Sequence, residues 1–185
     1  TCLSEKFSQV VANGDEAAYE ATSHLIDTGS RRIAFIGGPN HLDMVRRRKH
    51  GYLEALRENH LSIDRTLVVC DKIDFDVARR ATIVLLQRED RPDAILAFND
   101  IITYAAFDAI KEMNLRIPED VAIIGFTDGD NAAFVTPSLS AIMDQAHIQG
   151  NKACELLMRS INGDRCIYKE VVPMILKIRE SSEKN

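Results

Sequence analysis

Four clusters of polar side chains in this 185-residue chain follow directly on short apolar runs. Asn40 to Arg48 follows RRIAFIGGP, Asp71 to Asp76 follows RTLVVCD, Asn99 and Asp100 close DAILAFND, and Thr127 to Asp130 follows DVAIIGF. Arginine, asparagine, aspartate and phenylalanine at such places can grip a polyhydroxylated or heterocyclic small molecule. Guanidinium and amide groups make paired hydrogen bonds to neighbouring hydroxyls, and an aromatic ring stacks on a flat apolar face. A charge-assisted hydrogen bond in such a cleft contributes roughly 1.5 to 3 kcal/mol, so several that converge on one molecule give micromolar binding.

Each cluster also has a purely structural reading. The run Arg46, Arg47, Arg48, Lys49 has the form of a solvated helix face. Asn99 and Asp100 stand where a helix N-cap is expected, and Asp128 with Gly129 suits a turn. Phe75 would otherwise be a core residue. What favours binding is the joint placement of these groups.

The apolar runs and the stretches between them define the scaffold. Ile33 to Ile36, Leu67 to Cys70, Ala94 to Ala97, Val121 to Ile124 and Leu139 to Met143 are short and apolar on both faces, as strands covered by helices on both sides must be. Helical periodicity appears between them, through Tyr52, Leu53 and Leu56, then Val77, Ala81, Val84 and Leu85, then Ile102, Ala105, Ala106, Ala109 and Ile110. The chain opens with an extended piece, Phe7 to Val11, and a helix after Asn13 marked by Ala17, Ala21 and Leu25. This alternation predicts an α/β fold, a doubly wound parallel sheet in three α/β/α layers, which binds ligands at the carboxyl ends of its strands. The Gly37, Gly38, Pro39 turn is expected to release the chain into a loop before Tyr52, Leu53 and Leu56 mark the next helix. Beyond Asp128 the regularity stops, and a helix through Ala153, Leu156, Leu157 and Ile161 precedes a last strand from Ile167 to Ile178.

Composition narrows the function classes. A net charge of −5 argues against direct nucleic-acid binding by these residues, since counterion release needs a basic face. No signal peptide and no membrane-spanning run is visible, and Cys2, Cys70, Cys154 and Cys166 lack zinc or redox spacing, so reduced thiols in a cytoplasmic protein are expected. His24, His41, His50, His60 and His147 show no metal-ligand spacing. No P-loop, dinucleotide fingerprint or serine nucleophile elbow occurs. Neither an enzyme nor a cofactor is expected.

From about Val10 to Ser182 the chain resembles the LacI/GalR family of transcriptional regulators, in the later part of their periplasmic-binding-protein-like effector domain. The resemblance is carried by AAYEATSHLIDTGSRRIAFIGGP, RKHGYLEAL, AFNDIITYAAFDAI, RIPEDVAIIGF, PSLSAIMDQ and LKIRESS, in that order. It implies a sugar-like or nucleobase-like effector held between two lobes, a homodimer, and operator DNA contacted only by an N-terminal helix-turn-helix absent from these residues. The family's cleft arginine falls on Arg48 and its cleft asparagine on Asn99, with Asp100 beside it, while the stacking aromatic falls on Phe75. Where the family has an aspartate after its glycine and aromatic, this chain reads Gly125, Phe126, Thr127, so Thr127 or the following Asp128 takes that place. Ala12 and Asn13 likewise stand where many members carry an Asp-Asn pair.

The resemblance divides the chain into residues 1–144, mostly the C-terminal lobe; 145–165, a helix of the other lobe; and 166–185, a final C-terminal-lobe strand and polar tail. That helix is expected to find a substitute surface on a second copy of the chain. A transport-system sugar-binding protein of the same fold is the alternative reading.

Overall fold

The computed structural model describes residues 6–127 and 130–184. β1 (Gln9–Ala12) leads into α1 (Gly14–Asp27), β2 (Ile33–Gly37), α2 (Asp43–Glu58), β3 (Val68–Cys70), α3 (Phe75–Leu86), β4 (Ala94–Ala97) and α4 (Asp100–Glu112). Then follow β5 (Ala122–Phe126), β6 (Ser140–Met143), α5 (Ala146–Ile161), β7 (Lys169–Val172) and β8 (Ile175–Lys177).

Six strands form one sheet in the order β3-β2-β4-β5-β6-β8. Every neighbouring pair is parallel except β6 and β8. The five strands expected to run parallel do so, and β8, from the last apolar stretch, adds one antiparallel edge. The chain leaves β6 at its carboxyl end and re-enters the sheet at that same end, so β8 must run the opposite way. The single strand expected from Ile167 to Ile178 also divides, because Pro173 has no N–H to give a ladder. Its first part, β7, pairs in parallel with β1 in a separate two-stranded sheet.

Strand order reverses at the middle of the large sheet. From β2 the chain moves outward to β3, and from β4 it moves the other way to β5. With right-handed crossovers, α2 and α4 then lie on opposite faces, α2 packed with α1 and α4 with α3. The gap between the carboxyl ends of β2 and β4 is thus a topological switch point, where open α/β sheets bind ligands. All residues of β2, β4 and β5 are buried, and Phe35, Ile36, Ile95, Leu96, Ile123 and Ile124 form the centre of the core.

Two contacts fix α2 against this core. The Tyr52 hydroxyl donates to the Ile33 carbonyl at 2.8 Å, and its ring stacks on Phe35. Gly51 lets α1 and α2 touch backbone to backbone, since a Cβ there would lie 1.9 Å from the Asp15 carbonyl oxygen.

The helix α5 packs on β1 and β7 rather than on the large sheet. Only Leu156 of α5 is buried, while Leu157, Met158 and Ile161 are exposed. Three chain segments connect this smaller unit to the larger one: Asn13, Asp144 to Gln145, and Pro173 to Met174. Side-chain amides tie them together. Asn13 Oδ1 accepts from the Met174 N–H at 2.7 Å, and Gln145 Nε2 donates to the Pro173 carbonyl at 2.7 Å.

Candidate functional site

Arg48 lies on α2, as the helix-face reading of its charge run has it, but on the buried side of that helix and not the solvated one. Asp43, Arg46 and Arg47 begin α2 well before its first apolar marker, Tyr52. Val45, Arg48, Tyr52, Ala55 and Leu56 then share one buried face at helical spacing. Arg48 is only 6% exposed, while Arg46 in the same charge run faces solvent.

A buried guanidinium needs compensation, and Arg48 finds it at the switch point. Its Nη1 donates to the Phe98 carbonyl. The guanidinium carbon lies 3.8 Å from the ring centre of Phe126 and 4.9 Å from that of Phe98, so the negative faces of two rings also stabilise the charge. Phe98 and Phe126 immediately precede Asn99 and Thr127. Arg48 is thereby held between the carboxyl ends of β4 and β5.

Asn99 caps α4, its Oδ1 accepting from the Ile102 N–H at 3.1 Å. The amide Nδ2 makes no hydrogen bond among the described residues. Thr127 is 1% exposed; its N–H donates to the Ile142 carbonyl at 3.1 Å, and its hydroxyl is buried with no partner among the described residues. Asp100 is exposed in the first turn of α4. Asp128 lies outside the described residues. Phe75 starts α3 at 41% exposure and borders a separate groove between α3 and α4, beside Arg79, Tyr104 and Phe107. Arg48 therefore contacts Phe98 and Phe126, the residues directly before Asn99 and Thr127, whereas Phe75 borders a different groove.

A cavity of about 210 Å³ opens beside Arg48, between the start of α2, β1 and the start of α5. Asp43, Met44 and Arg47, all within the Asn40 to Arg48 cluster, are among its walls, together with Gly14, Asp144 and Gln149, which the sequence reading did not single out. Asp144 was visible by the same rule that found the others, because it directly follows the apolar run SLSAIM. Gln149 Nε2 donates to Asp144 Oδ1 at 3.1 Å, which orients the carboxylate at the crossover. On the opposite wall, Arg47 pairs with Asp15 at 2.7 Å. Burial pushes the Asp15 carboxyl up, yet Arg47 and nearby backbone N–H groups outweigh it and hold the group below its ordinary value. A cation, a carboxylate and an amide thus border one space of ligand size, while Gly14 leaves room beside the Arg48 side chain.

This fold is shared with known proteins. A family model described as "Periplasmic binding protein-like domain" matches residues 22–182. The repressor PurR of Vibrio atlanticus (strain LGP32) is 30% identical over 181 residues, covering 97% of this chain and 53% of its own length. The transcriptional regulator CelR in complex with cellobiose superposes with a TM-score of 0.88 at 31% identity, over 96% of this chain and 54% of that one. A LacI-family regulatory protein from Chloroflexus aggregans superposes with a TM-score of 0.90 at 33% identity, over 95% of this chain and 64% of that one. The chain belongs to the periplasmic binding protein-like family, as an effector domain of the LacI/GalR type. It spans about half the length of the curated relatives it matches.

Proposed function

We propose that this chain is the effector-sensing part of a bacterial LacI-type transcriptional regulator. It binds a sugar-like or nucleobase-like metabolite at the switch point, and a DNA-binding segment outside these residues contacts the operator. One observation supports this reading: the Arg48 guanidinium is held against Phe98 and Phe126, which directly precede Asn99 and Thr127, and Arg48 borders a cavity that Asp144 and Gln149 also line. Arg48 and Asn99 hold polar groups of the effector. Asp144 supplies the carboxylate that Thr127 does not. Asp100, exposed in the first turn of α4, is a further contact for a larger effector.

No step in this role makes or breaks a covalent bond, and the site of action is the cytoplasm, where the operator lies. Effector binding shifts the balance between open and closed arrangements of two lobes, the second of which includes α5, β1 and β7. The chain works as a homodimer, to which the exposed Leu157, Met158 and Ile161 of α5 contribute an apolar face; sedimentation showing a monomer at high concentration would remove that part. The transport-protein alternative is not favoured, since the similar proteins are regulators by name.

Isothermal titration with cellobiose, ribose and hypoxanthine tests the site. One of these classes is expected to bind, and Arg48→Met, which keeps the stem but loses the donors, should weaken it about 10- to 150-fold, the equivalent of roughly 1.5 to 3 kcal/mol. Equal affinity in wild type and variant would refute the assignment.

A further inference from the structure

We propose that the groove between α2 and the free edge of β3 is a docking site for an extended acidic segment of a partner protein, one with an apolar side chain flanked by carboxylates. The argument begins with how α2 distributes its charges. Lys49, Leu53 and Arg57 recur at four-residue intervals and line one wall of a groove of about 480 Å³. Ile63, Arg65 and Val68 line the other wall. On the neighbouring stripe of the same helix, His50, Glu54 and Glu58 border a separate surface with Asp15, Glu16 and Glu20 of α1. A solvated helix stabilises itself by placing opposite charges four residues apart, yet here the Lys49 and Glu54 stripes keep their charges separate.

The basic side chains of the groove are not neutralised from within the protein. Among the described residues no carboxylate forms an ion pair with Lys49, Arg57 or Arg65, whereas Arg32, Arg47, Arg79, Arg88 and Arg116 all have such partners. Lys49 Nζ donates instead to the neutral Asn40 Oδ1 at 2.5 Å. Asp64, adjacent to Arg65 in the chain, is occupied by Arg32 and Thr66. Three cations thus surround apolar Leu53, Ile63 and Val68 on a chain whose net charge is −5.

Geometry selects the occupant. Among the described residues, β3 ends the sheet and pairs only with β2. The Asp71 N–H bonds to the Gly37 carbonyl, so the alternation of a parallel ladder turns the Val68 carbonyl and the N–H and C=O of Cys70 outward, away from β2, while the Val68 N–H closes the preceding turn on the Arg65 carbonyl. From Lys49 to Arg57 the helix rises about 12 Å, too far for one phosphate group to bridge. In an extended peptide, residues i and i+4 lie about 13 Å apart with residue i+2 on the same face. Carboxylates at i and i+4 then meet Lys49 and Arg57, and an apolar residue at i+2 meets Leu53.

Fluorescence polarisation on this chain tests the proposal, using a labelled nine-residue peptide with glutamate, leucine and glutamate at alternate central positions and serine elsewhere. The acidic peptide is expected to bind, and the same peptide with glutamines should bind at least tenfold more weakly. Arg57→Glu, an exposed change whose fold circular dichroism verifies, should weaken the acidic peptide at least tenfold. A lysine-leucine-lysine peptide should bind a Lys49→Glu, Arg57→Glu double variant better than wild type. Equal binding of the acidic and neutral peptides, or unchanged affinity in Arg57→Glu, would overturn it. Complete displacement by inorganic phosphate would also overturn it, marking a small-anion site, and absence of any peptide binding would mean that these cations only guard the sheet edge.

Discussion

Replacing Gly51 with alanine tests the packing that holds Arg48 in place. The added methyl would sit 1.9 Å from the Asp15 carbonyl oxygen, 2.8 Å from the Asp15 carbonyl carbon and 3.0 Å from the Tyr19 nitrogen. All three are backbone atoms of α1, so no side chain can swing aside. To restore ordinary contact α2 must retreat by about 1.5 Å, taking Arg48 away from the Phe98 carbonyl and loosening the bond from Tyr52 to Ile33. Overpacking of this kind costs about 3 kcal/mol, and in a domain of this size each kcal/mol lowers the melting temperature by about 2 to 4 °C. Gly150→Ala is the internal control. It is also a helical glycine, but a Cβ there meets nothing within 4 Å, so alanine should stabilise by about 0.5 to 1 kcal/mol through helix propensity alone. Urea unfolding of both variants should therefore show opposite signs separated by about 4 kcal/mol. If Gly51→Ala unfolds within about 0.5 kcal/mol of wild type, the two helices do not touch as described and Arg48 is positioned by something else.

Two further outcomes follow from particular contacts. Asn13→Ala removes the acceptor of the Met174 N–H and should cost about 1 to 2 kcal/mol in urea unfolding, with faster hydrogen exchange at Met174; protection equal to wild type would refute the tie. The Arg116 side chain and its N–H hold the Asp120 carboxyl well below the usual carboxylate range. A depressed carboxylate contributes stability above its unfolded pKa, which is lost as pH falls through the folded value. The melting-temperature gap between wild type and Asp120→Asn should thus be widest near neutrality and begin to shrink below about pH 4, and a gap that grows in acid would contradict this.

The strands were legible because a buried parallel strand has no polar face to confuse its pattern, as in β2, β4 and β5. The start of α2 was not, since its first turn is solvated and polar, and a charge run hides the one arginine that turns inward. Reading back from Tyr52 by helical spacing reaches Arg48 and then Val45, which is the signal that places it on the buried face. Asn99 shows that two readings of one residue need not compete: it caps α4 through Oδ1, while the carbonyl directly before it takes the Arg48 guanidinium. Asp144 was missed because the alternation of elements had already broken down where it occurs. The division of the last apolar stretch into β7 and β8 rests on a single proline, whose effect depends on which sheet each half can reach.

Arg48 carries a consequence for kinetics. An arginine free in solution has about 2 kcal/mol of rotamer entropy to lose, and a ligand that must immobilise it bears that loss on binding. Here the Phe98 carbonyl and two aromatic faces freeze the side chain when the domain folds. If Arg48 holds the effector as proposed, the effector meets a rigid, preorganised donor, so association should proceed without a slow ordering step and selectivity should reside in how long the complex lasts.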